Sequence, residues 1–143
     1  MVIAGFWLRC DDGITRPVVV VQIQAADGST HDDRFLIDSG ADRTVLSADF
    51  LGRLGLTAKS AATLAGVGGQ QDCVLVNTAL EFKRDEGGTA VVRGEYAAFT
   101  DPTATDLSIL GRDVVNNFDL IVSRARNEVL MLAAPHVYRV ESN

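Results

Sequence analysis

The sequence predicts an all-β fold, and three observations carry that prediction. β-Branched residues arrive in short bursts, as in PVVVVQIQA at 17–25. Such bursts suit the pleated, half-buried surface of a strand. Glycine is frequent (13) and proline scarce (3), which fits strands joined by tight turns. Helical signals are confined to two short stretches, SADFLGRLGL and RDVVNNF.

Taken in order, the first clear strand is 17–25, followed by ADGS, with Asp27-Gly28 as a hairpin signal. The second strand, DRFLID, covers about 33–38, and the GSTHDD segment before it reads as an exposed polar loop. Ser47 then caps a short helix in which Leu51 and Leu54 share a face. A glycine-rich segment, LAGVGGQQ at 64–71, is flanked by β-like stretches. CVLVNTALEF (73–82) and TAVVRGEYAAF (89–99) form two strands around the polar turn KRDEGG. LSILG (107–111) is a buried strand that breaks at glycine, and RDVVNNF supplies one or two helical turns. FDLIVS and EVLMLA close the chain as a hairpin through RARN. No repeat or linker interrupts this, so residues 1–143 are expected to form one domain.

A chain of 143 residues can bury a core without a metal or disulfide. Its formal charge of −6 provides no basic face for phosphate backbones or anionic lipids. Nucleic acid and membrane partners are therefore not expected, and no apolar run approaches the length of a membrane span. The N-terminus has no basic stretch before Met1–Leu8 and no cleavage site after it, so a cytoplasmic location with free Cys10 and Cys73 is expected. His31 and His136 are the only histidines, too few, with two cysteines, for a typical zinc site. No metal or cofactor is expected. GVGGQQ lacks the spacing of a nucleotide-binding loop, and Ser39 lacks both a nucleophile elbow and a histidine partner.

The sharpest feature is FLIDSGA, an apolar strand ending in Asp38 with Ser39-Gly40 turning the chain at once. A carboxylate at the end of such a strand is costly to bury unless hydrogen-bonded or protonated. Ser39 offers a hydroxyl, and Gly40 lets backbone amides approach. Alone, Asp-Ser-Gly reads equally as a β-turn. Roughly 70 residues on, SILGRD presents a second apolar strand that stops at glycine.

The series ITRPVVVVQI, FLIDSGADRTVLS, LAGVGG and ILGRDVVNNFDLIV, in this order from about Arg16 to Leu132, resembles the retropepsin-like aspartic proteases. The resemblance implies a closed, barrel-like β domain with one short helix and a glycine-rich flap hairpin. It implies that Asp38 is the catalytic aspartate and that Ser39 crosses to a partner chain and locks the two active-site loops together. Gly40 and Ala41 would present backbone to an extended substrate, while Asp42 and Arg112 would pair beneath the site. Gly66, Val67, Gly68 and Gly69 would form the flap tip, and Arg16 would reach the partner subunit.

The chemistry agrees. Hydrolysis of a peptide without a metal, Cys or Ser nucleophile needs one group to take a proton from water and another to give one to the carbonyl. Two carboxyls about 3 Å apart can do both by sharing a proton. The other Asp-x-Gly sequences, Asp11-Asp12-Gly13 and Asp85-Glu86-Gly87, follow no apolar strand and read as exposed turns. The second carboxyl is therefore expected from a second copy, in a homodimer with its site on the two-fold axis. The expected function is an aspartic endopeptidase acting on an extended peptide. The alternative is a module of the same fold that dimerises or binds peptides without cleaving them, although such a module has no reason to keep a costly acid. EVLML and the VYRV tail are the candidate interface strands.

Overall fold

The computed structural model describes residues 1–66, 69–133 and 141. Eleven strands and two short helices make it mostly β. A three-stranded sheet joins β1 (Val2–Ala4), β11 (Glu128–Ala133) and β10 (Phe118–Ser123) in that order. The larger sheet runs β2-β3-β4-β9-β5-β8-β7-β6. Its strands are β2 (Phe6–Arg9), β3 (Thr15–Gln24), β4 (Thr30–Ile37), β5 (Val45–Leu46), β6 (Ser60–Gly66), β7 (Gly69–Lys83), β8 (Thr89–Phe99) and β9 (Ser108–Leu110). An extra pairing between β3 and β7 curls this sheet towards a barrel, with Gln22 opposite Glu81.

The pairing of β3 with β4 shows how register follows the apolar pattern. Val19, Val21 and Ile23 are buried, as are Phe35 and Ile37, while Val20 and Gln24 face out. A slip of one residue would expose this whole set. The main core gathers these side chains with Phe50, Leu54, Leu80, Phe82 and Leu110. Phe35 and Phe50 meet edge to face, ring centroids 6.0 Å apart, tying the strand before Asp38 to the helix after it.

That helix, α1, spans Ala48–Leu54. Ser47 Oγ accepts the Phe50 N–H, and Gly55 closes the C-terminus at φ 62°, in the left-handed region that favours glycine. Ser47 is buried, and its own N–H donates to Ser108 Oγ at 3.0 Å. Ser47→Ala removes the capping oxygen and should lower unfolding stability by about 1 kcal/mol. Chemical denaturation with an unchanged m-value measures this. The second helix, α2 (Arg112–Val115), is a single turn.

Two segments differ from the sequence reading. GSTHDD is not a loop throughout, because Thr30–Asp33 already belongs to β4, paired with Val21–Gln24. Its polar residues occupy the solvated face of a hairpin, a place a strand can give them. EVLML has no free edge to offer a partner, since β11 is flanked by β1 and β10 of its own chain. The VYRV segment lies outside the described residues.

Candidate active site

The site forms where two parallel strands end. β4 and β9 pair in the register Phe35–Ser108, Leu36–Ile109 and Ile37–Leu110. The ladder runs one step further, the Asp38 N–H donating to the Leu110 carbonyl at 3.1 Å. After Asp38 the chain turns back. The Ala41 N–H donates to the Asp38 carbonyl (3.2 Å), and the Arg112 N–H to the Ala41 carbonyl (2.8 Å). Val45 then pairs with Ile109 on one side and Ala97 on the other. The loop 38–44 is thus threaded between the ends of β4, β9 and β8.

Within this loop Asp38 is half-buried, while Ser39 and Gly40 are exposed. The Gly40 N–H donates to Asp38 Oδ1 at 3.0 Å, orienting the carboxyl by its own turn. No ion pair reaches Asp38 among the described residues. Its carboxyl is less buried in the single chain than the sequence reading assumed. Arg112 supports the loop with one terminal nitrogen on the Ser39 carbonyl (3.2 Å) and the other on Asp42 Oδ1.

Beneath the loop lies a network that the sequence reading did not single out. Thr44 is fully buried. Its N–H donates to the Asp113 carboxylate at 2.9 and 3.0 Å, and its hydroxyl donates to Asp113 Oδ1 at 2.7 Å. That same hydroxyl oxygen accepts the Gly111 N–H at 3.0 Å. Thr44 and Asp113 therefore clamp the two chain crossings together. Their partners are 69 residues apart in sequence, and only the pairing of ADRT with LGRD hints at the link. Thr44→Val keeps the volume but leaves the buried Gly111 N–H without an acceptor, which should destabilise by about 1–3 kcal/mol. Thermal unfolding of the variant against wild type measures it.

Asp33 sits behind the site, taking a hydrogen bond from Ser108 Oγ (2.9 Å) with Arg53 3.7 Å away. Burial raises its pKa, while the Ser108 hydroxyl, the Arg34 backbone and Arg53 pull the other way. An acid whose folded pKa is raised stabilises the fold at low pH, and that contribution is lost as pH rises through the folded value. Asp33→Asn removes the cost of the buried charge. The difference in Tm between variant and wild type should therefore be more favourable to the variant at pH 7 than at pH 4. An equal difference at both pH values would contradict this.

The remaining candidates fall in two places. Gly66 and Gly69 form the last described pair of the β6–β7 hairpin. Val67 and Gly68 lie outside the described residues. β6 is the outer strand of the sheet and is largely exposed. Arg16, on β3, is bound within its own chain, both terminal nitrogens on the Asp12 carboxylate at 3.0 and 2.7 Å. Among the described residues no group of three His, Cys, Asp or Glu is arranged to hold a metal ion, and no helix is long and apolar enough to cross a membrane.

A strand-borne Asp-Ser-Gly loop crossed by an Ile-Leu-Gly strand, with a hairpin above, is the arrangement of an aspartic protease subunit. The sequence matches the aspartyl protease family over residues 19–114, more than half its length, and the chain belongs to that family. Its fold is retropepsin-like. A retropepsin-like aspartic protease from Rickettsia conorii is 14% identical, aligning 92% of this chain with 88% of that one at a TM-score of 0.56. EIAV protease, solved with an inhibitor, is 25% identical over 71% of this chain and 86% of its own, at a TM-score of 0.52. The retroviral protease-like domain of Ddi1 from Leishmania major is 15% identical over 87% of this chain and 99% of its own, at 0.53. No curated protein matches the chain.

Proposed function

We propose that this protein is an aspartic endopeptidase that works as a homodimer, with Asp38 of each copy meeting on the two-fold axis. The observation that carries the reading is the setting of Asp38. Its carboxyl is oriented by the Gly40 amide at a strand end and has no ion-pair partner among the described residues of its own chain. Two such carboxyls brought within about 3 Å cannot both ionise, so they share one proton. The ionised member takes a proton from water, which attacks the peptide carbonyl, while the protonated member donates to the carbonyl oxygen. Their apparent pKa values then belong to the pair.

In this reading Ser39, exposed beside Asp38, reaches the partner's loop. Gly40 and Ala41 present backbone to the substrate, and the Asp42–Arg112 pair braces the loop from below. The hairpin containing Gly66, Val67, Gly68 and Gly69 closes over an extended peptide held mainly by main-chain hydrogen bonds. The competing reading is a non-catalytic peptide-binding or dimerisation module of the same fold, which the likeness to the Ddi1 domain keeps in view. The two are separated by incubating the protein with a diverse peptide mixture from pH 4 to 7.5 and mapping products by mass spectrometry. Reproducible new termini support the endopeptidase; an unchanged mixture, with peptides retained on the protein, supports the binding module.

A further inference from the structure

We propose that the turn joining β2 to β3 builds one wall of a substrate side-chain pocket beside Asp38. In it Asp12 acts as a positioning residue, neutralising Arg16 so that the pocket selects an uncharged side chain. This rests on the endopeptidase reading above and adds a specificity element from the N-terminal segment.

A cavity of about 420 Å³ opens on the sheet face turned away from the core. Leu8, Leu36 and Leu107 give it apolar surface. Leu36 lies two residues before Asp38 on β4, and Leu107 leads into β9, which runs parallel beside β4. Arg16 lies two residues before Val18, the partner of Leu36 in the β3–β4 ladder. The pocket therefore adjoins the strand end that carries Asp38.

Its electrostatics are set by the turn. Asp12 grips Arg16 through both carboxylate oxygens, and Asp12 Oδ1 also accepts the Ile14 N–H at 2.9 Å. The turn thus fixes the carboxylate, and the carboxylate fixes the guanidinium in the wall. The other charged lining residues, Arg9 and Arg34 against Asp11 and Asp106, balance in sign. An uncharged substrate side chain can pack on the leucines, whereas a charged one sheds hydration without a net opposite charge to meet. The Arg16 hydrogen bond, followed by the Ile14 backbone, lowers the Asp12 pKa to about 2. The neutral pairing therefore persists across the acid range in which a carboxyl dyad works.

Removing either partner should tilt the pocket in opposite directions. Asp12→Asn leaves Arg16 unneutralised and favours an acidic side chain, and Arg16→Gln leaves Asp12 unneutralised and favours a basic one. The test uses matched peptides carrying Gln, Glu or Lys at each position around a scissile bond, with relative kcat/KM measured for wild type and both variants. Circular dichroism and sedimentation confirm that each variant folds and associates as wild type does. At one position near the cut, the Glu:Gln ratio should rise about tenfold in Asp12→Asn and the Lys:Gln ratio about tenfold in Arg16→Gln. The double exchange Asp12→Arg with Arg16→Asp should restore the preference for Gln. Cleavage with unaltered ratios in both variants overturns this inference and leaves the endopeptidase reading intact. If wild type cuts nothing, that reading falls, and calorimetric binding of the same peptides then decides the pocket. Ratios that shift with opposite sign support it, and unshifted ratios or no binding overturn it.

Discussion

Asp38→Asn should abolish peptide hydrolysis, lowering kcat/KM by more than about a thousandfold, because both acid and base functions pass through this one side chain type. An amide can neither hold the shared proton nor take one from water. Asn can still accept the Gly40 N–H through its Oδ1, the bond that shapes the loop at 3.0 Å. Asp38 is only half-buried, so the fold should change by less than about 0.5 kcal/mol. A variant that melts like wild type and leaves peptides uncut is the expected result. Undiminished cutting would move the chemistry to another residue.

Gly111→Ala should be the most damaging small substitution at the site. Here β9 crosses the loop after Asp38 so closely that a Cβ would lie 2.4 Å from both the carbonyl carbon and the oxygen of Arg43. The obstacle is backbone, which cannot rotate away, and both chains are pinned by the Thr44 clamp on Gly111 and Asp113. Overpacking of this kind costs about 3 kcal/mol or more. The variant should therefore unfold at markedly lower denaturant concentration, or fail to fold. Near-wild-type stability would mean that the crossing is looser than drawn. By contrast, Gly52 has open space where its Cβ would lie, so Gly52→Ala serves as a tolerated control.

Much of the fold was legible because strands that bury one face announce themselves locally. The runs at 73–82 and 89–99 became β7 and β8, FDLIVS and EVLMLA became β10 and β11, and Ser47 capped the helix it was expected to cap. Asp38 stood out for a similar reason, since an acid that ends an apolar strand breaks the pattern. The elements that escaped are those whose reason is distant. β1 is a strand because Val2–Ala4 meets Leu130–Leu132, and β2 because Phe6–Arg9 meets Thr15–Val18. Nothing within Met1–Leu8 alternates or turns clearly enough to say so. Thr30–Asp33 looked like a loop because its polar residues face water on a hairpin, a setting that sequence polarity cannot distinguish from a turn. The Thr44–Asp113 clamp and the Asp12–Arg16 pair depend on chain crossings and turn geometry. Asp11-Asp12-Gly13 was read correctly as a turn, yet its position beside Leu36 and Leu107 could only come from the folded sheet.

The account stands on two copies of one chain sharing a site, and subunit mixing tests that most directly. Wild-type protein at fixed concentration is equilibrated with increasing Asp38→Asn protein, total concentration being kept well above the dissociation constant for dimerisation. If each active site needs Asp38 from both subunits, random exchange makes activity per wild-type chain fall in proportion to the wild-type fraction. A tenfold excess of variant should then suppress it about elevenfold by mass action. Activity per wild-type chain that stays constant at every ratio would show that one chain cuts peptides alone, and would contradict the shared site.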